Sequence, residues 1–379
     1  MIEFKLPSLD ADMDEGKLLE WKVKVGDAVK RGDVVAVVDT SKAAVEVEIW
    51  ESGTIAELLV EPGKTIPVGT VLARLAGVAE KISPVEEKKE IHVEHRKRIS
   101  PAARKHAEEH GIDVETVVGT GPQGSVIVED VEKLVRAKPV EKKIEEKPVE
   151  PKRAPEDKNA AMRRAIAAAM SRSKREIPHY YLSETVPMLR ATQWLERENE
   201  KRPVTGRILM AVLQLKAVAL ALRKFPEING FFRDGARVPS AMIHVGVAIS
   251  LRGGGLVAPA IHDTAEKPLD ELMRDLADLV KRARAGSLRS SEMADPTITV
   301  SNIGEGGVEA VFPIIYPPQV AIVGFGTLAQ RPWVSADGGL HVSPTVVASL
   351  GADHRVSDGH RGALFLAELA RLLQEPENL

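Results

Sequence analysis

The sequence predicts a multidomain protein with an all-β sandwich first, a small α-helical domain next and a larger α/β domain last. Three observations indicate this fold class. Glycines recur at a fixed spacing within the first 76 residues, and two segments rich in Lys, Glu and Pro interrupt the apolar patterning. After the second of these segments, long helical patterns stand beside several non-adjacent strand patterns, which is typical of an α/β sandwich with a mixed sheet.

Length and composition limit the function classes. With 379 residues the chain has room for two or three domains, and its net charge of −3 is too small to indicate a nucleic-acid or anionic-membrane partner. No cysteine is present, so disulfides, thiolate metal sites and cysteine nucleophiles are excluded, and any reacting thiol must arrive on a cofactor.

The N-terminus lacks an apolar signal core. The apolar helix near 208–222 contains Gln214 and Lys216 and is expected to be too short for a bilayer. We therefore expect a soluble, cytoplasmic protein without a metal site.

The N-terminal domain, residues 1–76, is organised around the stretch 37–49. Residues that favour strands flank the segment Thr40-Ser41-Lys42-Ala43, which predicts a strand–turn–strand unit with Lys42 at its tip. Three glycines recur 37 residues later, as Gly16/Gly53, Gly26/Gly63 and Gly32/Gly69. Two equivalent halves of short strands are expected to form a pseudo-symmetric sandwich joined by this unit. An exposed lysine is ordinarily a solvated charge, but its place between the two halves favours a function.

Two linkers are predicted, at 77–95 and 137–158, because neither has an apolar face long enough for a core. They are either plain joints or the arms that a mobile carrier needs, and the second would reach roughly 60 Å if fully stretched. Between them, residues 96–136 form a small island. Ser100-Pro101 predicts a helix start, Gly111 a helix end, and a second short helix follows near 128–135. An island of this size is at the lower limit for independent folding.

The C-terminal domain, residues 159–379, is large enough for its own core. Its pattern predicts helices at 162–173, 188–200, 206–224 and 268–285, and strands at 242–250, 297–302, 320–326 and 342–350. A further strand is expected to open at Pro178-His179. Two polar corners follow strands: one holds Asp353, His354, Arg355 and Asp358, and the other holds Ser301 before Gly304. A lone His beside Asp is usually structural, but strand exits commonly carry functional side chains.

Each domain resembles a known family. Residues 1–76, with Phe4-Lys5-Leu6-Pro7 and Lys42, resemble the lipoyl domain of 2-oxo acid dehydrogenase complexes; a biotin-carrier domain is the alternative, although Ser41 and Ala43 beside the lysine favour lipoate. Residues 98–135, with Gly119-Thr120-Gly121-Pro122, resemble the peripheral subunit-binding domain of the same complexes. Residues 160–379 are similar to the catalytic domain of dihydrolipoamide acyltransferases, which shares its fold with chloramphenicol acetyltransferase. Their most specific motif is the Asp-His-Arg-x-x-Asp-Gly signature at 353–359.

The resemblance implies a role for four residues. Lys42 is the implied lipoate attachment point, His354 the general base, Ser301 the hydroxyl that stabilises an oxyanion, and Asp358 the acid that braces the histidine loop. Elementary chemistry agrees, because an imidazole of pKa ~6.5 accepts the proton of a thiol of pKa ~8.5 near neutral pH. His179 is expected to be structural, and Glu305–Ala310 is where acyl specificity is expected to lie.

The implied function is acyl transfer from lipoyl-lysine to coenzyme A at the core of a 2-oxo acid dehydrogenase complex. The lipoyl arm would swing on the linkers, and residues 96–136 would bind the decarboxylase and dihydrolipoamide dehydrogenase subunits. The family forms trimers in which the His of one subunit faces the Ser of its neighbour. Two alternatives remain at this point: a non-catalytic lipoyl-bearing scaffold, and an acetyl-CoA-dependent acyltransferase acting on a small hydroxyl substrate. Acetyl, succinyl, branched-chain and acetoin-type enzymes share these motifs, and an acetyl or branched-chain acyl group is expected.

Overall fold

The computed structural model describes residues 1–9, 13–40, 44–76, 158–251, 254–335 and 338–379, and the isolated positions 103, 126, 128 and 130. The chain forms two compact units, one made of Met1–Ile82 and Glu156–Leu379 and the other of Ser83–Pro155. In the second unit, Ala103, Val128 and Asp130 are helical where the sequence predicts helices. The rest of the predicted island, nearly all of both linkers, and Lys42 lie outside the described residues.

The N-terminal domain is the predicted all-β sandwich. One sheet has the order β1-β8-β6-β3 and the other has the order β5-β4-β2-β7. The strands are β1 (Ile2–Lys5), β2 (Glu15–Trp21), β3 (Ala28–Val29), β4 (Val34–Asp39), β5 (Ala44–Glu48), β6 (Gly53–Leu58), β7 (Thr65–Pro67) and β8 (Val71–Ala76). Alternating side chains such as Leu18, Val38, Val47 and Leu72 fill the space between the sheets and are fully buried.

The 37-residue repeat has a conformational basis. Gly26 and Gly63 have φ angles of 97° and 94°, and Gly32 and Gly69 have φ angles of 91° and 86°. Residues with a Cβ rarely adopt these angles, so these two pairs of glycines mark turns that both halves share, whereas Gly16 and Gly53 lie in strands. The antiparallel pairing of β4 with β5 continues to Asp39 opposite Ala44, which confirms the strands of the predicted strand–turn–strand unit.

The C-terminal domain contains a mixed sheet in the order β15-β12-β17-β18-β20-β19, with β9 also paired to β20. Its strands and the small hairpins beside them are β9 (His179–Pro187), β10 (Gly230–Arg233), β11 (Ala236–Pro239), β12 (Val245–Val247), β13 (Ile249–Ser250), β14 (Leu256–Val257), β15 (Ala260–Ile261), β16 (Leu288–Arg289), β17 (Ile298–Asn302), β18 (Ala321–Phe325), β19 (Ala329–Val334) and β20 (Leu340–Asp353). Strands β12, β17 and β18 run parallel, and β20 runs antiparallel to β18.

The helices of this domain are α1 (Lys158–Glu176), α2 (Leu189–Glu200), α3 (Met210–Lys224), α4 (Leu269–Ala285), α5 (Ser290–Ala294) and α6 (Gly359–Leu373). The predicted helices and strands of the domain all appear, although several have other bounds and the strand predicted at 242–250 is divided into β12 and β13. The helix predicted at 206–224 begins as a 3-10 turn at Val204–Gly206, and the strand predicted at 342–350 extends over fourteen residues. That extension follows from packing, because β20 pairs with β9, β18 and β19 and is buried from Ser343 onward.

Helix α3 is the central helix of the core. The stretch Val204–Lys224 is long and apolar enough to cross a membrane by length and composition, so the expectation that it is too short was wrong. Ten of the fifteen residues of α3 are buried in the protein. The two buried polar residues of α3 have partners there. The Lys216 ammonium donates to the carbonyl oxygens of Ala265 (2.8 Å) and Lys267 (2.7 Å), and Gln214 binds Asn302. These bonds satisfy polar groups that burial would otherwise penalise.

Candidate active site

His354 stands immediately after β20, at the edge of the sheet. Its side chain is exposed, and its backbone N–H donates to the carbonyl of Pro178 at 3.0 Å. The Tyr180 ring meets the imidazole edge-on, with 5.4 Å between ring centroids. The Tyr180 hydroxyl in turn lies 2.8 Å from the Ser357 hydroxyl, on the far side of the same loop. The loop therefore presents an accessible imidazole on a fixed backbone.

The carboxylate that fixes this loop most directly is Asp353. It is fully buried, and Arg355 binds it through Nε at 2.9 Å and Nη2 at 2.7 Å, while the Arg355 backbone N–H donates to the same carboxylate at 2.9 Å. The guanidinium also lies 3.8 Å from the centroid of the Phe232 ring. A two-pronged bond of this kind is rigid, so the residues on either side of His354 hold it in place.

Asp358, the acid predicted to brace the loop, is the N-cap of α6. Its carboxylate accepts a hydrogen bond of 2.9 Å from the backbone N–H of Arg361. That bond is the main cause that lowers the pKa of the Asp358 carboxyl, and His354 lowers it further. Asp358 thus anchors the end of the loop to a helix, whereas the contact next to His354 belongs to Asp353, which the sequence reasoning gave no role.

Ser301 lies near the end of β17, where the strand leaves the core. It pairs with Gly324 of β18, and its side chain is half-buried. The side chain of the next residue, Asn302, is held from two directions. Its Nδ2 donates to Gln214 Oε1 at 2.5 Å, and its Oδ1 accepts from the backbone N–H of Gly304 at 2.8 Å. A glycine at φ 69° makes the turn that follows. The corner therefore holds a hydroxyl at a defined position.

Within one chain, Ser301 and His354 lie at opposite ends of the sheet. Ser301 is opposite Gly324, which is opposite Ser349 of β20, and His354 comes five residues after Ser349. At ~3.3 Å per residue, the two side chains are separated by roughly 17 Å along the strands. The two predicted catalytic groups of a single chain are therefore too far apart to act on one reacting atom.

His179 occupies a structural position. Its Nε2 accepts from the Ile315 backbone N–H at 3.2 Å, which places the ring proton on Nδ1, 2.9 Å from the carbonyl of Ile177. The ring stacks on Tyr181 with 5.6 Å between centroids, and burial lowers the pKa of the imidazole. Both ring nitrogens are committed to the backbone, which supports the predicted structural role.

Two cavities share the wall Pro317–Gln319, and one of them reaches Arg355, the neighbour of His354. The first, about 260 Å³, is lined by Met293, Tyr316 and Pro317–Gln319 among others, and the second, about 250 Å³, is lined by the same Pro317–Gln319 together with Phe232 and Arg355. Sequence reasoning missed this wall; its only signal was the motif Pro317-Pro318-Gln319. Within the segment Glu305–Ala310, predicted to set acyl specificity, the described side chains at 306–310 line neither cavity.

These features together define a class of protein, one that joins a carrier-type β-sandwich to an α/β acyl-transfer domain. Comparison with known proteins identifies the family. Residues 152–379 match the family described as 2-oxoacid dehydrogenases acyltransferase (catalytic domain), residues 2–75 match the family described as biotin-requiring enzyme, and residues 97–132 match the e3 binding domain. The chain belongs to the 2-oxo acid dehydrogenase acyltransferases.

The relatives cover the chain almost entirely. The dihydrolipoyllysine-residue acetyltransferase component of the pyruvate dehydrogenase complex of Zymomonas mobilis is 30% identical over 434 residues, which are 99% of this chain and 98% of the relative. Among solved structures, the Azotobacter vinelandii dihydrolipoamide acetyltransferase is 26% identical, with a TM-score of 0.54 over 57% of this chain and 90% of that one. A structure described as the cubic core of the pyruvate dehydrogenase multienzyme complex is 27% identical, with a TM-score of 0.54 over 57% and 90% of the two chains.

Family membership confirms the predicted fold class and the predicted activity. The chain is an acyltransferase of a 2-oxo acid dehydrogenase complex that moves an acyl group between lipoyl-lysine and coenzyme A, with lipoate as its covalent cofactor. It carries a domain that binds the E3 component of such a complex. The scaffold and hydroxyl-acyltransferase alternatives are disfavoured, since the catalytic domain matches through to the last residue with its His354 signature intact.

Proposed function

We propose that the chain is the acetyltransferase core subunit of a pyruvate dehydrogenase complex. The observation that carries this proposal is the exposed imidazole of His354, which follows the buried Asp353 and precedes Arg355, whose side chain binds Asp353 and lines a cavity. Relatives that match along their whole length transfer acetyl groups in that complex, which favours acetyl over branched-chain substrates.

The residues divide the chemistry as follows. The His354 imidazole accepts the proton of the coenzyme A thiol, so that the thiolate attacks the acyl carbonyl. The Ser301 hydroxyl donates to the oxyanion that develops there, a contribution of about 3 kcal/mol for one well-placed donor. Asp358 fixes the end of the loop at the start of α6. The Azotobacter enzyme was studied for the catalytic roles of a serine, a histidine and an asparagine, and that histidine and asparagine are four residues apart, like His354 and Asp358.

Lipoate, attached to Lys42, supplies the thioester sulfur. The pairing of Asp39 with Ala44 leaves only residues 40–43 to connect β4 and β5, which suits a short tip bearing one modified lysine. The linkers at 77–95 and 137–158 let this domain travel, and residues 96–136 bind the decarboxylase as well as the dehydrogenase subunit. We place the complex in the cytoplasm, in keeping with the absence of cysteine.

A shared site follows from the distance between the two catalytic groups. Because His354 and Ser301 lie at opposite ends of one sheet, His354 of one subunit meets Ser301 of its neighbour in a closed trimer. The β19–β20 hairpin supports this arrangement, since it exposes Val334 (62%), Leu340 (73%) and Val342 (75%), an apolar surface of the kind that a neighbouring copy buries.

Subunit mixing tests this proposal. Ser301→Ala alone is expected to lower turnover of free dihydrolipoamide and acetyl-CoA on the order of 10²-fold, with less effect on KM. Co-expressed Ser301→Ala and His354→Ala chains should regain about a quarter of wild-type activity, because random closed trimers give each site both intact groups in that proportion. A mixture as inactive as its separate components would place the whole site within one chain.

Assembly beyond the trimer is expected to be weak. The C-terminal 3-10 turn Pro376–Asn378 packs against the domain itself, and Leu379, the last apolar residue, is half-buried on its own hydrophobic core. One buried Leu contributes only about 1.5–3 kcal/mol, and part of the Leu379 side chain is already buried against its own domain. We expect light scattering across a dilution series to show trimers at low concentration. A large particle that survives dilution unchanged would contradict the weak shell, and an active monomer would contradict the shared site.

A further inference from the structure

The catalytic domain pairs with the N-terminal domain through one short segment. Strand β16 runs parallel to β5, with Leu288 opposite Val45 and Arg289 opposite Glu46. Without β16, strand β5 would be the edge of its sheet. Addition of a strand to an exposed edge is a general mode of protein recognition, in which main-chain hydrogen bonds give affinity and side chains give selectivity. We propose that residues 288–293, here called the docking segment, are a receptor for the chain's own lipoyl domain; this rests on the proposed role of that domain as acyl carrier.

Glu48, the last residue of β5, supplies the selectivity. It is only 7% exposed, and its carboxylate accepts from the Ser291 hydroxyl at 2.5 Å and the Ser291 backbone N–H at 3.2 Å. Its own backbone N–H donates to the Ser290 hydroxyl at 3.0 Å. A carboxylate buried without such donors would be costly, so the two serines accept a lipoyl domain with an acid at this position and disfavour one with an apolar residue.

The docking segment is built in advance of binding. The Arg282 guanidinium of α4 donates two hydrogen bonds to the Glu292 carboxylate, of 2.6 Å and 2.5 Å. The same carboxylate accepts from the Arg289 backbone N–H at 2.9 Å. These bonds fix the junction of β16 and α5 within the catalytic domain. Met293 then packs against the cores of both domains. A rigid receptor loses little entropy when its partner arrives.

Docking also directs the carrier toward the active site. Strand β5 begins at Ala44, two residues after Lys42. Ser8, in the loop that leads toward the same end of the sandwich, lines the first cavity together with Met293 and Pro317–Gln319. The second cavity continues from Pro317–Gln319 to Arg355, the neighbour of His354. The docked domain therefore presents the end of the sandwich at which β5 begins to a cavity whose Pro317–Gln319 wall also borders the cavity at Arg355.

A rate comparison on the full-length lipoylated chain tests the proposal. With acetyl-CoA and a phosphine reductant, Glu48→Gln and Ser291→Ala are each expected to slow acetylation of the chain's own arm, followed by intact mass, by about tenfold, because a charge-assisted contact is lost. Turnover of free dihydrolipoamide by the same preparations should be unchanged.

The matched control is Glu61→Gln, an 81% exposed glutamate on the same domain, which should alter neither rate. Arm acetylation by Glu48→Gln at or above the wild-type rate would overturn the docking proposal, whereas a wild-type chain inactive on free dihydrolipoamide would overturn the proposed function instead.

Disulfide trapping gives a second readout, independent of activity. The chain has no cysteine, so a Glu46→Cys/Arg289→Cys double variant introduces the only two thiols, at positions that the strand register places opposite each other. Carrying Lys42→Arg as well removes the thiols of the arm. Mild oxidation should cross-link this pair rapidly, while a Glu57→Cys/Arg289→Cys control, with its first thiol on the other sheet, should stay reduced. Equal cross-linking of both pairs, or none in the first, would overturn the docking geometry.

Discussion

Replacement of His354 by alanine is expected to lower turnover of free dihydrolipoamide and acetyl-CoA by about 10²–10⁴-fold, the usual contribution of a general base. The loss is chemical rather than structural, because the imidazole is exposed and the loop that carries it is held by Asp353 and Arg355. Steady-state kinetics measure the effect, and light scattering with thermal unfolding confirms that assembly and stability are retained.

The control for this variant is His360→Ala, which removes another exposed imidazole from the first turn of α6. It should keep wild-type turnover. Near-normal turnover by His354→Ala at saturating substrate would remove His354 from the mechanism, and an equal loss in both variants would indicate a general effect on the loop and helix.

The Lys42→Arg substitution should abolish two measurable properties and leave a third intact. The lipoyl mass increment should disappear from the intact protein, because arginine offers no amine for amide formation. Turnover coupled to the decarboxylase and dehydrogenase subunits should fall to background, because in the proposed function the lipoyl arm carries the acyl group between those subunits and the core. Turnover of free dihydrolipoamide should remain, because the catalytic domain does not need the arm for a soluble substrate.

Lys64→Arg is the matched control, since Lys64 is an exposed lysine that directly follows a turn of the same sandwich. It should keep the mass increment and the coupled activity. A lipoyl increment that persists in Lys42→Arg would move the attachment point elsewhere.

Local patterns predicted much of the fold. The glycine repeat predicted the sandwich because four of its six glycines have a backbone angle that other residues avoid. Helix and strand periodicity predicted the elements of the C-terminal domain for a different reason, because it records which side chains face the core. The β10–β11 hairpin and β19 were missed, since many of their residues are exposed and carry a weak pattern. The full length of β20 was missed because it depends on pairing with three other strands.

The candidate site was predictable as a set of residues but not as a geometry. The motif around His354 could be recognised in the sequence. That Asp353 is the acid that binds Arg355 depends on the burial of its carboxylate, which the spacing of the motif does not reveal. Gln214 and Lys216 looked like interruptions of an apolar helix, and only tertiary contacts show that Gln214 holds the residue next to Ser301. The separation of Ser301 from His354 likewise depends on strand register, a property of the folded sheet.

Strand β5 has a further consequence for the solution behaviour of the protein. A carrier that leaves its receptor uncovers a sheet edge on every catalytic cycle, and a bare edge is a template for aggregation between copies. Glu46 and Glu48 lie on this strand, so two β5 edges that met in register would oppose like charges. The Glu48 carboxylate, to which the serine hydroxyls donate in the docked state, thus also opposes pairing between two bare β5 edges. Copies of the protein that expose this edge at the same time therefore stay dispersed.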